Sequence, residues 1–105
     1  MELARNWRYW TEKIAEAAKK ILVSSETYVF GSIVRGQVTA ASDIDILIIS
    51  NHIPNTCKER GNLKAKIEEE AGLPLYHPFE IHLATEEEAK NSPVYRSIIK
   101  EAIKV

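Results

Sequence analysis

The stretch FGSIVRGQVTAASDIDILII, residues 30–49, decides how this chain is interpreted. A Gly-Ser pair ends one apolar run, and after ten further residues Asp43 and Asp45 stand at the start of an Ile-rich run. Burying a charge is costly unless the charge is paired. Side chains alternate across a strand, so the two aspartates share one face and the isoleucines between them take the other. The stretch therefore predicts a mostly buried strand whose carboxylates mark the end at which one face opens.

Apolar spacing and turn residues outline the first half of the chain. Helical periodicity runs from about Leu3 to Leu22. Residues 26–30 are rich in β-branched and aromatic side chains and predict a strand, followed by a short helical turn after Gly31. Residues 37–42 are predicted to form a loop.

The second half continues with a strand at 43–50, a helix from about Thr56 to Ala71 and a strand at 78–85. Thr85 is placed to cap a short helix, and Pro93 to open a last one. The apolar face of that last helix is predicted to comprise Tyr95, Ile98, Ile99, Ala102 and Ile103. The fold class expected is α+β (or α/β), with a small mixed sheet flanked by helices whose strand order is left open.

Length and composition predict one soluble domain spanning residues 1–105. A net charge of −1 argues against broad electrostatic binding to nucleic acid or to anionic membranes. The single cysteine, Cys57, excludes an internal disulfide and a Cys-rich zinc site. No apolar stretch approaches the ~20 residues that span a bilayer, and no secretion signal is visible. We therefore expect a cytoplasmic protein.

Asp43 and Asp45 indicate a metal site. Two close carboxylates repel each other unless one is protonated or a cation lies between them. A hard divalent ion such as Mg²⁺ or Mn²⁺ takes oxygen ligands and is the natural counter-charge. The alternative is structural, an exposed strand end or a turn formed by Ser42 and Asp43. An EF-hand loop is excluded because Ile48 stands where that loop needs glycine.

Gly31 and Ser32 stand between a strand and a helical turn, a context in which backbone amides bind phosphate. Glycine lets the backbone approach a ligand, and Arg35 adds a cation one turn later. Taken alone, the pair is more typical of a plain turn capped by serine, and neither common phosphate-loop motif is present. Beside metal ligands on a neighbouring strand, it predicts a site for a nucleoside triphosphate with its metal.

Glu80 is the candidate third carboxylate. Apolar residues alternate along the strand PFEIHLAT, so Glu80 and His82 share the opposite face. Nucleotidyl transfer with two ions about 3.5–4 Å apart usually needs three carboxylates. Glu80 reaches the aspartates if its strand lies beside theirs, and otherwise it is an outward polar residue. His82 is expected to line the same cleft, more often in a non-catalytic role.

The combined motif resembles the nucleotidyltransferase superfamily that includes DNA polymerase beta and kanamycin nucleotidyltransferase. The residues that carry the resemblance are GSIVRG, then SDIDILI, then a Glu on a later strand. The short chain is most similar to the minimal nucleotidyltransferases of that superfamily, over about residues 26–84. The resemblance implies the nucleotidyltransferase fold, a mixed sheet flanked by helices.

By position, the resemblance also implies roles for individual residues. Gly31 and Ser32 would hold the triphosphate of ATP, and Arg35 would contact phosphate or anchor the loop. Asp43 and Asp45 would bind one or both of two Mg²⁺ ions. The carboxylate at position 80, where many relatives have Asp, would complete the metal site and act as base on the acceptor hydroxyl.

Minimal members of the superfamily are commonly encoded beside a HEPN-domain protein. The pair resembles a toxin–antitoxin system in which the MNT-type nucleotidyltransferase transfers AMP to a tyrosine of the HEPN partner. Nearly the whole chain forms the catalytic core, so a second chain (a HEPN protein or another copy) is expected to complete the cleft. The function predicted is Mg²⁺-dependent AMP transfer to a partner hydroxyl. One alternative is a catalytically weak nucleotide-binding module that masks a partner, and a weaker one is modification of a small molecule.

Overall fold

The computed structural model describes residues 6–31, 33–36 and 43–105, and its frame is a four-stranded mixed sheet with helices. The elements in chain order are α1 (Trp7–Leu22), β1 (Glu26–Phe30), β2 (Ile44–Ile49), α2 (Cys57–Glu70), β3 (Phe79–Ala84), α3 (Glu86–Asn91), α4 (Pro93–Glu101) and β4 (Ile103–Lys104). The predicted fold class is confirmed. Ser32, the 37–42 loop and the predicted start of the first helix lie outside the described residues.

The sheet has the strand order β3-β2-β1-β4. β2 pairs with β3 in parallel and with β1 in antiparallel orientation, and β4 pairs antiparallel with β1. The predicted mixed sheet is therefore present, and β2 lies at its centre. Ile44, Ile46 and Ile48 of this strand are at most 1% exposed. Burying each such side chain contributes about 1.5–3 kcal/mol, which fixes the strand's register.

The two faces of the sheet are covered differently. The isoleucine face of β2 packs into the main core with α1 and α2, through residues such as Ile14 and Ile67. On the other face Leu47 and Ile49 pack with Ala89 of α3 and, at their margin, with residues of α4. Asp45 lies on this second face, beyond the apolar cluster. The prediction that this face opens at the aspartate end of the strand is confirmed.

Side-chain caps and one arginine fix the helices. Thr85 and Glu88 form a capping box at the start of α3, which confirms the prediction that Thr85 caps a short helix. Arg60 of α2 donates hydrogen bonds to Glu88 at 2.7 Å and to the carbonyl oxygen of Pro54 at 2.6 Å. α3 is thereby held against α2 beside the end of β3.

The end of the chain differs from the sequence-based expectation. Ala102 and Ile103 were predicted to extend the last helix, but α4 ends at Glu101 and residue 102 is already extended. Ile103 instead pairs with Val29 on the open edge of β1. Backbone hydrogen bonds to that edge outweigh the helical periodicity, because an unpaired strand edge leaves its polar groups unsatisfied. Within the described ranges, no helix is long and apolar enough to cross a bilayer.

Candidate nucleotide and metal site

Asp45 and Glu80 lie side by side on neighbouring strands. β2 and β3 are parallel, and their register pairs Asp45 directly with Glu80. Paired residues of adjacent strands project to the same face, so both carboxylates point to the open side of the sheet. The Asp45 side chain is 28% exposed, whereas Glu80 is exposed. The sequence-based condition that Glu80 share a face with the aspartates on an adjacent strand is met.

His82 joins these two carboxylates. It follows Glu80 by two residues on β3, and its Nε2 lies 3.5 Å from Asp45 Oδ1. The imidazole and Phe30 rings are 5.6 Å apart between centroids. Asp45, Glu80 and His82 each offer one ligand atom, and these atoms all lie within 4.8 Å of one another. No other group of three His, Cys, Asp or Glu with this spacing occurs among the residues that the structure describes.

Asp43 takes a different position from Asp45. It lies one residue before β2, is exposed, and does not belong to the group of three ligand atoms. These two residues are the chain's only aspartates. The structure therefore brings together Asp45 and Glu80 of the predicted set, adds His82, and leaves Asp43 at the outer margin, one residue before the strand.

Gly31 makes the site sterically possible. Its φ is +89°, and a Cβ built at this position would lie 2.6 Å from Asp45 Oδ2. Real Cβ atoms essentially never approach another atom so closely. The sequence predicted a glycine that lets the backbone approach a ligand. In the structure this space is taken by the Asp45 carboxylate, so any other residue at position 31 would displace that carboxylate or the turn, with or without a ligand.

A turn and a groove extend the site away from the carboxylates. The Val34 N–H donates to the Gly31 carbonyl at 3.2 Å and the Gly36 N–H to Ile33 at 3.3 Å, which confirms the predicted turn. A groove of about 690 Å³ separates this turn from α4, a size within the range of about 300–1,000 Å³ that is typical of ligand pockets. Its walls are Phe30, Gly31, Val34, Arg35, Pro93, Val94, Ser97, Ile98 and Glu101.

Arg35 stands at the rim of this groove. Its Nη2 lies 3.8 Å from Glu101 Oε2, and both side chains are largely exposed. The sequence analysis predicted a role for Arg35 in contacting phosphate or anchoring the loop, but it did not predict that α4 would form a wall of the site. The amphipathic pattern of that helix indicated only a buried face, and the groove depends on where the helix packs.

His77 supports the site from the loop before β3. Its Nδ1 accepts a hydrogen bond from the Phe79 N–H at 3.2 Å, so the ring's proton is on Nε2, which contacts Glu68 of α2. This imidazole connects α2 to Phe79, the first residue of β3, which directly precedes Glu80. The sequence did not predict this role for His77, because its contact with Glu68 depends on how the loop folds back on α2.

Comparisons with known proteins agree with this geometry. A family model described as a nucleotidyltransferase domain matches residues 11–105. One solved structure of a protein classed provisionally as a nucleotidyltransferase has 28% identity and a TM-score of 0.65, covering 90% of this chain and 95% of that one. A second, from Sulfolobus solfataricus and classed likewise, has the same fold with 21% identity and a TM-score of 0.61, covering 95% of this chain and 78% of that one. No functionally curated protein matches the chain.

Proposed function

Because this chain belongs to the nucleotidyltransferase domain family, we propose that it transfers AMP from ATP to a hydroxyl group of a partner protein. The supporting observation is the in-register pair Asp45 and Glu80, set against the Cβ-free backbone of Gly31. Two acidic groups on one open sheet face, next to a turn and a ligand-sized groove, match what a triphosphate and its metal require.

The donor set fits hard divalent cations. Carboxylate oxygens are the preferred protein ligands of Mg²⁺, and Asp45 and Glu80 each supply one within 4.8 Å of the other. Asp43, one residue outside β2, would add a ligand from the solvent side. When bound, two Mg²⁺ ions would neutralise triphosphate charge and stabilise the attacking and leaving oxygens.

The chain's own residues would divide the remaining work. The turn after Gly31 and the guanidinium of Arg35 bind and orient the triphosphate, while the groove toward α4 takes the nucleoside. The acceptor oxygen forms a bond to the α-phosphorus as the bond to pyrophosphate breaks, and Glu80 accepts the hydroxyl proton. Placing these groups in one geometry and stabilising the charge that develops on the phosphate are the two sources of acceleration for such transfers.

A protein acceptor is supported by two exposed apolar side chains in the loop that leads into the strand of Glu80. Leu75 and Tyr76 are 88% and 83% exposed, in the loop between α2 and β3. That loop reaches the site because the Pro78 carbonyl accepts a hydrogen bond from Ile44 N–H at 2.8 Å. Adjacent exposed apolar side chains offer a small contact surface to a protein partner. We propose a HEPN-domain protein as the acceptor, with this chain as the antitoxin of the pair.

The experiment is a transfer assay with α-labelled ATP, Mg²⁺ and a HEPN-domain protein as the candidate acceptor. We expect label on the partner with the wild type and none with Asp45→Asn. Glu69→Gln, which removes one exposed carboxylate far along α2, is the charge-matched control and should transfer normally. Label that persists undiminished with Asp45→Asn would refute the assigned site.

The same exposed pair, Leu75 and Tyr76, also suits a module that only masks its partner. The two modes separate in one comparison. A partner that is inhibited equally by the wild type and by the Asp43→Asn/Asp45→Asn variant, without label, indicates masking. Inhibition that needs both ATP and the aspartates indicates transfer.

A further inference from the structure

We propose that His82 is a metal ligand through Nε2, and that it makes the site bind divalent transition ions such as Mn²⁺ more tightly than Mg²⁺. The inference rests on the proposed function, because the ion concerned is the one that would accompany the triphosphate. It adds a nitrogen donor to a site for which the sequence predicted only carboxylates.

The distances leave room for a shared cation in place of a direct hydrogen bond. His82 Nε2 and Asp45 Oδ1 are 3.5 Å apart, beyond the roughly 2.7–3.2 Å of an N–H···O hydrogen bond. Neighbouring ligand atoms around an ion at about 2.1 Å are separated by roughly 3 Å, and opposite ones by roughly 4 Å. The 4.8 Å limit on the group is slightly wider than this. A small contraction would close the three side chains on one ion.

The strands hold the His82 ring in place before a metal arrives. β3 residues 80 and 82 share a face, and the register sets Asp45 between Glu80 on one side and Phe30 on the other. The Phe30 ring packs against the imidazole at a tilt of 48°. The His82 side chain is still 39% exposed, which leaves room for water or phosphate oxygens as further ligands.

The other two histidines of the chain are occupied or remote. His77 uses both ring nitrogens, with Phe79 N–H on one side and Glu68 on the other. His52 lies in the turn after β2, at the end of the strand opposite to Asp45. Among the three, His82 alone joins the acidic pair, so its loss can be compared with a remote histidine of the same chain.

Donor chemistry gives the metal preference. Mg²⁺ demands oxygen ligands in near-ideal octahedral geometry, whereas transition ions accept imidazole readily. Two carboxylates and one imidazole therefore favour first-row transition ions over Mg²⁺, with Mn²⁺ the weakest binder of that series. Removing the imidazole should cost most of the Mn²⁺ affinity and little of the Mg²⁺ affinity.

The test measures metal binding directly, with Mn²⁺ as the probe and free Mn²⁺ quantified by electron paramagnetic resonance. It is done with the protein alone and with a non-hydrolysable ATP analogue. We expect His82→Gln to weaken Mn²⁺ binding by about tenfold or more, while the Mg²⁺ affinity obtained by competition changes little. His52→Gln is the matched control and should leave both affinities unchanged.

Electron spin echo modulation of Mn²⁺ bound to the wild type provides a second readout that needs no variant. Directly coordinated imidazole adds ¹⁴N modulation, which we expect to see and to lose in His82→Gln. Mn²⁺ bound without this modulation, or bound equally by both proteins, would overturn the inference while leaving the proposed function intact. Failure of the ATP analogue to bind with either metal would instead contradict the proposed function.

Discussion

Replacing Gly31 with alanine should have two effects, strain in an unusual backbone conformation and displacement of a metal-site carboxylate. Gly31 has φ +89°, so an alanine there is strained whatever its surroundings. Its Cβ would also lie 2.6 Å from Asp45 Oδ2, where ordinary contact begins at 3.4 Å. The carboxylate or the turn must therefore move by about 0.8 Å, the difference between these two distances.

The two effects have different magnitudes and different readouts. A left-handed backbone conformation costs an alanine about 1–2 kcal/mol, which lowers the melting temperature of a domain this size by roughly 4–8 °C per kcal/mol. A displacement of about 1 Å in a positioned catalytic group can reduce turnover by about 10²-fold. We expect Gly31→Ala to show both losses, with metal-dependent nucleotide binding weakened in parallel.

Gly72→Ala is the matched control. Gly72 has φ +76°, and a Cβ there would meet nothing within 4 Å. It should lose similar thermal stability while binding the metal and the ATP analogue normally. Thermal unfolding followed by circular dichroism and calorimetric titration of both variants provide the comparison. The steric reasoning is wrong if Gly31→Ala binds metal and nucleotide as well as Gly72→Ala does.

Three further outcomes follow from individual side-chain contacts. Thr85→Ala removes the side-chain half of a capping box and should cost about 1 kcal/mol of unfolding free energy, measured by urea denaturation. The hydrogen bond from the arginine on α2, and then that from the Thr85 N–H, hold the pKa of Glu88 below its usual 4.5. The contribution of Glu88 is therefore complete above the ordinary pKa of the unfolded chain and is lost as the pH falls through the lower pKa of the folded state, so the stability advantage over Glu88→Gln should shrink on acidification from about pH 5 to pH 3. Glu101→Gln frees the Arg35 guanidinium, 3.8 Å away, and should tighten ATP-analogue binding by at most about fivefold in calorimetry, since exposed pairs contribute up to about 1 kcal/mol. An unchanged or weaker affinity would show that Glu101 does not compete with phosphate for Arg35.

Much of the fold could be predicted because the strands carry strong local signals. β2 alternates isoleucine with the residues of the site face, and its period of two assigns every side chain to a face. Strand order is different, since it depends on contacts between distant segments. Alternation placed Glu80 and His82 on one face of β3, but only the parallel register brings them against Asp45.

β4 shows where local patterns mislead. The apolar spacing of α4 continues to Ile103, and nothing nearby in the sequence stops the helix there. The competing partner is Val29, on the open edge of β1. Such a partner is invisible to a window of ten or fifteen residues, because the hydrogen bonds that decide the outcome come from the far end of the chain.

The two motifs of the site are one steric unit. The sequence analysis treated the Gly-Ser pair as a phosphate loop and the Asp-Ile-Asp run as metal ligands, joined only by a common substrate. In the fold, Phe30 pairs with Asp45, so the residue that follows β1 must pass directly over the aspartate side chain. The space that a Cβ at Gly31 would fill is occupied by Asp45 Oδ2. With the Asp45 carboxylate in this position, a residue with a Cβ one position past the end of β1 would displace it, independently of any ligand. A substitution at Gly31 is therefore expected to displace the Asp45 carboxylate before it affects any other group of the site.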